Sequence, residues 1–194
     1  MNAPQPATLY QRSVGRIELT VAERDGRASV RRAYQEGSGK LRFMRPADDA
    51  VEAMVLNTAG GLAGGDRFHL DVRVAGRPLT LSTQASERVY RNEGGTARVA
   101  QTLAVGPGGR LVHAPQPTIL FDAASLERLT RVTLDGDAAL TFCEGLVLGR
   151  AAMGETVRRV HLRERTEVVV DGRLAFVDAL RIDSAMLAEA AAPA

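Results

Sequence analysis

Residues 67–74 read Arg67-Phe68-His69-Leu70-Asp71-Val72-Arg73-Val74. Polar and apolar side chains alternate without a break. Successive side chains of an extended chain point to opposite faces, so this pattern marks a strand with one buried face. A helix would instead place its apolar residues three and four apart. The same alternation recurs at 14–22, 28–34, 51–57, 79–84, 96–105, 110–113 and 118–121, and again at 126–134, 139–148, 156–170 and 174–182.

Turn-forming residues separate these runs. Asp25-Gly26 and Asp171-Gly172 each stand between two alternating segments, and glycine tolerates the positive φ a tight hairpin needs. Pro107-Gly108-Gly109 is a further tight turn. Only 185–192, rich in alanine, reads as helical. The expected fold is mainly β, with stacked antiparallel sheets of many short strands and a minor helix near the C-terminus. No exact internal repeat stands out. Residues 1–183 are expected to form one β domain, and 184–194 an alanine-rich tail.

A chain of 194 residues, 45% hydrophobic and 25% charged, is ordinary globular material rather than a disordered one. Its single cysteine, Cys143, excludes an internal disulfide and points to a reducing compartment. No apolar run reaches the roughly 18–20 residues of a membrane helix. Residues 1–11 lack the basic-then-apolar order of a signal peptide. The expectation is a cytoplasmic protein without membrane association. Net charge is only +2, and Lys40 is the sole lysine. Basic pairs occur at Arg31-Arg32 and Arg158-Arg159, but no longer basic run is present, and there is no tryptophan. Nucleic-acid binding wants a concentrated basic face with stacking platforms, and it is not expected here.

Two glycine clusters break the strand pattern. Gly60, Gly61, Gly64 and Gly65 lie in G-G-L-A-G-G-D, ending at Asp66; Gly145, Gly149 and Gly154 form the second. A phosphate-binding loop would carry a lysine and a Ser or Thr after its last glycine. Asp66 and Arg67 stand there instead, and a strand rather than a helix follows, so a structural corner with a surface carboxylate is the plainer reading.

His69 and Asp71 share one strand face. With Asp66 they offer nitrogen and oxygen ligands to a borderline ion such as nickel or zinc, although a dedicated site usually carries more imidazole or thiolate. A solvated or hydrogen-bonded polar face is the favoured reading, since the chain has only three histidines. Cys143 and Glu144 read as mid-strand in T-F-C-E-G. A nucleophilic cysteine would need His113 or His161 within hydrogen-bond reach. Ser82, Ser86 and Ser125 lack a nucleophile-elbow context, and Asp48-Asp49 reads as a solvated loop. The residues alone favour a binding or scaffolding role over an enzyme.

Four segments taken together resemble the UreD (also UreH) family of urease accessory proteins. Residues 56–66, L-N-T-A-G-G-L-A-G-G-D, look like its glycine-rich signature ending in aspartate. Residues 82–91, S-T-Q-A-S-E-R-V-Y-R, look like its following strand, with Thr83, Gln84 and Tyr90 at motif positions. Residues 115–121, P-Q-P-T-I-L-F, begin a third block at Pro115. Residues 144–155, E-G-L-V-L-G-R-A-A-M-G-E, form a fourth, carried by Gly149, Arg150, Gly154 and Glu155. Order and spacing agree across 16–182.

The resemblance implies a largely β scaffold that is not an enzyme and acts in the maturation of the urease metallocentre. It implies apo-urease, a UreF-like helical protein and, through it, a UreG-like GTPase as partners. It implies no tightly bound cofactor but nickel in transit through an internal passage. Asp66 and Glu144 are then the expected polar groups beside that passage, with His69 and Asp71 as further candidates. Departures exist: the family usually has a glutamate and an aromatic where this chain has Val112 and His113, and a glycine where it has Val160. Relatives also continue beyond residue 194, so the β domain is expected to be incomplete at its C-terminal end. A β-rich interaction module or degenerate fragment without nickel delivery is the alternative.

Overall fold

A computed structural model describes residues 11–45 and 49–190. Asp48, and the last residues of the expected helix and tail, lie outside the described residues. The strands are β1 (Val14–Arg24), β2 (Arg27–Gly37), β3 (Gly39–Phe43), β4 (Val51–Asn57), β5 (Arg67–Ala75), β6 (Pro78–Thr83), β7 (Glu87–Val89) and β8 (Ala97–Val105). They continue with β9 (Arg110–His113), β10 (Thr118–Leu120), β11 (Ala124–Leu134), β12 (Ala139–Phe142), β13 (Leu146–Leu148), β14 (Val160–Val170) and β15 (Arg173–Asp183). A short helix, α1 (Ser184–Ala190), follows. The mainly β class and the minor C-terminal helix are as expected.

The alternation at β5 buries what it should. Phe68, Leu70, Val72 and Val74 are buried, while Arg67, His69 and Arg73 are exposed. The pairing partners differ from expectation. Sheet A has the order β15-β14-β11-β8-β5-β1-β2, sheet B β12-β9-β6-β4-β3, and sheet C β13-β10-β7. Only β1–β2, β14–β15 and β3–β4 pair antiparallel. All other pairs are parallel. Stacked antiparallel sheets are therefore corrected to three mixed or parallel sheets. Alternation reports which face of a strand is buried, not which strand lies beside it. From β5 to β14 the chain visits sheets A, B and C in cyclic order, so each strand meets its parallel mate one full turn later. This is a three-faced β-solenoid.

Its repeat is structural rather than literal. Cross-strand hydrogen bonds join Arg98 to Glu127 and Gln101 to Thr130, each 29 residues apart. From β5 to β14, each corner from sheet A to sheet B turns on a glycine at positive φ: Gly76 (68°), Gly108 (65°) and Gly136 (64°). A Cβ on Gly108 would lie 3.2 Å from the Gly76 Cα, so stacked corners exclude side chains there. The Asp-Gly turns at 25–26 and 171–172 are the hairpins at the two edges of sheet A, with Asp25 and Asp171 at φ 54° and 48°.

The expected strand at 139–148 is two strands. The chain bends at Cys143, Glu144 and Gly145 as it passes from sheet B to sheet C, so Cys143 and Glu144 are not mid-strand. One apolar cluster fills the tube from all three sides, for example Leu103 of sheet A, Leu81 of sheet B and Leu120 of sheet C. Beyond β12 and β13 only sheet A continues, and β15 leaves Leu174 and Phe176 exposed.

Candidate functional site

Two places gather chemistry-bearing residues: the glycine-rich corner and the inside of the tube.

At the corner, Leu62 makes a parallel bridge to Val89. Gly61 sits at φ 146°, where a Cβ would lie 2.4 Å from Tyr90 Cε2 and 2.6 Å from the Arg88 carbonyl oxygen. Close backbone approach therefore requires glycine here. Asp66 is buried, not a surface carboxylate. Its Oδ1 accepts from the Ser13 amide at 2.7 Å and its Oδ2 from the Ala63 amide at 2.8 Å, so it ties the loop to the segment before β1. The Tyr90 hydroxyl donates to the Gly60 carbonyl at 2.9 Å, and its ring packs edge-on against Phe121.

Arg150 lies over the other face of this assembly, its guanidinium 4.4 Å from the Phe121 ring centroid. Its Nε donates to Glu155 at 2.9 Å. That bond holds the Glu155 carboxyl below its usual range. Asp122 accepts from the Arg158 and Arg159 amides, which lower its pKa to about 2. Gly149 and Gly154 supply the positive-φ turns on either side of this segment. Residues from all four sequence blocks thus meet around one cleft of about 610 Å³, lined by Gly61, Asp66, Tyr90, Phe121, Arg150 and Glu155. Thr83 serves a neighbouring loop, donating to the Ala85 carbonyl and accepting from the Gln116 amide. Gln84 lines a second small cleft with Gly60 and Gly61.

Inside the tube, polar groups interrupt the apolar lining. Gln101 of β8, Arg128 of β11 and Glu164 of β14 occupy positions where the alternation of each strand calls for an apolar side chain. Gln101 Nε2 donates to Glu144 Oε1 at 2.9 Å and to Thr130 at 3.2 Å. Gln101 Oε1 lies 3.1 Å from His113 Nε2. Because that oxygen can only accept, the network assigns the His113 proton to Nε2. Nδ1 is buried and makes no well-formed hydrogen bond. Burial, reinforced by the Arg128 charge, lowers the His113 pKa to about 4, so the ring is neutral near pH 7.

Arg128 donates to Thr118 at 3.1 Å, lies 3.4 Å from Glu144, and is in ion-pair contact with Glu164. Burial raises the Glu164 carboxyl pKa against the opposing pull of Arg128. Further in, Glu87 accepts from Asn57 at 3.2 Å, and its carboxyl is likewise raised by burial. An internal cavity of about 70 Å³ touches Glu87, Gln101, His113, Pro115, Arg128 and Glu144. At the open end of the tube, a wider cavity of about 610 Å³ is lined by Glu144, Glu164 and Asp178, with Leu140 and Phe176.

The expected ion-handling residues are therefore dispersed. Glu144 joins the interior line; Asp66 lies at the corner cleft; His69 and Asp71 are on the outer face of sheet A, where Asp71 pairs with Arg73 at 3.2 Å. Among the described residues no group of three or more His, Cys, Asp or Glu side chains could hold a metal ion. Cys143 is exposed and has no hydrogen bond to a histidine side chain among the described residues; only its amide meets the His113 carbonyl. The interior roles of Glu87, Gln101, Arg128 and Glu164 were missed by sequence reasoning. The readable signal was a polar residue on the apolar phase of a strand, as at Gln101 between Val99 and Leu103. No helix among the described residues is long and apolar enough to cross a membrane.

The model for the family described as UreD urease accessory protein matches residues 13–194. A urease accessory protein UreD of Chelativorans sp. (strain BNC1) is 46% identical over 169 residues, covering 87% of this chain and 60% of that protein. The UreD of Rhizobium leguminosarum bv. viciae is 41% identical over 98% of this chain and 70% of its own length. That of Rhodopseudomonas palustris (strain HaA2) is 39% identical over 89% of this chain and 62% of its own. The chain thus spans between 60% and 70% of the length of these three relatives. A match of this extent, on a fold that brings all four motif blocks to one corner, places the chain in the UreD family of urease accessory proteins.

Proposed function

We propose that this protein is a non-catalytic, cytoplasmic scaffold in urease maturation, and that its tube conducts nickel as cargo toward apo-urease. The observation that carries this reading is the polar line inside an otherwise apolar core, running from Glu87 through His113 and Gln101 to Glu144 and Glu164. Such a line is costly unless it is used, because buried polar groups disfavour folding unless they are paired. Carboxylates and a neutral imidazole nitrogen suit a borderline divalent ion. Their spread along the line, rather than in one cluster, favours weak successive contacts that release as readily as they bind.

Arg128 supports the same reading. It balances Glu144 and Glu164, a role that a divalent ion entering the tube would take over. A UreF-like helical protein, and a UreG-like GTPase through it, are the partners the family membership supports, with apo-urease as recipient.

The test is co-expression of urease and its accessory proteins with this chain either intact or carrying Glu144→Gln. The amide keeps the bulk and one hydrogen bond to Gln101 but loses the charge. Urease nickel content, read by plasma mass spectrometry, is expected to fall several-fold while the soluble amount of this chain is unchanged. Unchanged nickel content on complete deletion of the chain removes the proposal.

A further inference from the structure

We propose that the outer face of sheet A, between β5 and β15, is a docking groove for an acidic amphipathic helix of a partner protein. The groove encloses about 730 Å³. Most of its lining comes from the strand positions opposite Gln101, and Arg128 and Glu164 reach its edge from the interior side.

Strand register builds the groove row by row. In one row, Ala100 of β8 pairs with Leu129 of β11, Leu129 with Arg165 of β14, and Arg165 with Ala179 of β15. Ala100, Leu129 and Ala179 make a low apolar floor, crossed between the last two by Arg165, which pairs with Glu167 at 2.7 Å. In the adjoining row Arg67 pairs with Arg98, Arg98 with Glu127, Glu127 with Arg163, and Arg163 with Arg181. That row is a cationic rail beside the floor.

The charge of the rail is not cancelled within the chain. Arg98 meets Glu127 at 3.2 Å and Arg181 meets Asp183 at 2.8 Å. Among the described residues, Arg67 and Arg163 have no ion-pair partner. At the far end of the same face a single carboxylate, Glu18, accepts from both Arg16 and Arg32. What sets the groove apart is that Arg67 and Arg163 face it without a carboxylate partner, and carboxylates are their complement.

Geometry selects a helix as the occupant. The groove is on a sheet face, so an added strand would find no free ladder there. Neighbouring strands are about 4.8 Å apart, which sets the spacing along floor and rail. A helix lying across the strands advances about 5.4 Å per turn and repeats side chains at i, i+3, i+4 and i+7. Leucines on one stripe then meet Ala100, Leu129 and Ala179, while glutamates on the next stripe meet the rail. The groove offers no aromatic platform, and an apolar floor is of no use to a phosphate backbone, which argues against nucleic acid.

The experiment uses the full chain and a fluorescein-labelled helical peptide of about 18 residues with leucine at i, i+3, i+4 and i+7 and glutamates on the adjoining stripe. Fluorescence anisotropy should give a Kd of roughly micromolar order at low salt, weakened about tenfold by raising the salt to several times that concentration. The Arg67→Glu, Arg163→Glu double variant should weaken it by a further tenfold or more, and Leu129→Asp should abolish saturable binding. Circular dichroism and thermal melts verify that each variant is folded. The proposal fails if the peptide does not bind, if a scrambled peptide of the same composition binds equally, or if the double reversal has no effect. It also fails if a DNA duplex of matched charge binds more tightly than the peptide.

Discussion

Gln101 and His113 face one another inside the tube, Gln101 Oε1 lying 3.1 Å from His113 Nε2, and that contact fixes which imidazole nitrogen is left without a partner. Burial, reinforced by the Arg128 charge, makes His113 a neutral base whose pKa is lowered to about 4. The unfolded chain would protonate this histidine near pH 6.5. Between those values the unfolded state binds more protons than the native one, so stability falls as pH drops from about 6.5 toward 4. Urea denaturation of the intact chain should show this loss, reaching at most about 3 kcal/mol at the acid end. His113→Gln should flatten the dependence over that window. An identical pH profile for the two proteins would show that His113 is not the titrating group.

Arg128 should be the least replaceable interior side chain. Arg128→Met leaves Glu144 and Glu164 buried with no positive neighbour in contact. Removing one partner of a buried charge cluster costs about 3–5 kcal/mol. Because the stranded carboxylates can take up protons, part of that loss should be recovered at pH 5. Adding Glu164→Gln to the variant should restore stability at pH 7. Chemical denaturation of the two variants at both pH values checks the order.

Asp66 should behave as a fold residue. Both of its carboxylate oxygens are occupied by backbone amides. Asp66→Ala leaves two such donors unsatisfied in a buried corner, at a cost of about 2–4 kcal/mol. Asp66→Asn retains one acceptor and should lose about half as much. Thermal melting ranks the three proteins; a variant melting like the intact chain would show that the two amide bonds contribute little.

Gly61 and Gly60 should respond very differently to alanine. At Gly61 the new Cβ would strike the Tyr90 ring and the Arg88 carbonyl, at a φ of 146°. A cost of about 3 kcal/mol or more is expected from overpacking together with backbone strain. At Gly60 the Cβ would meet open space, and only the positive φ of 78° opposes it, for about 1–2 kcal/mol. Denaturation midpoints of the pair separate the two effects directly.

Strand positions were legible because alternation is a local property. Phe68, Leu70, Val72 and Val74 announced the buried face of β5, and Asp25-Gly26 and Asp171-Gly172 announced the two true hairpins. The winding was not legible. Whether a strand pairs with its neighbour in sequence or with one a full turn away depends on the bends at Gly76, Gly108 and Gly136, and Asp135-Gly136 makes such a bend with the same dipeptide that makes the hairpins at 25–26 and 171–172. Glu144 was read as part of a strand because the apolar residues on either side of it continue the pattern. The bend that turns it toward Gln101 is a tertiary property. The motif blocks, by contrast, could be matched one by one, yet their meeting around Arg150 and Phe121 needed the fold.

In a winding where each layer rests mainly on the one before it, unfolding has a direction. Among the described residues, layers in the middle are clamped on two sides, whereas the one built on β12 and β13 is clamped on one. Amide protons there should exchange with solvent sooner than those of β8 and β5, as a local opening that leaves earlier layers intact. Glu144 belongs to that layer and Glu164 follows it, so among the described residues the wide cavity lies where the winding opens most readily, while the glycine corner stays rigid.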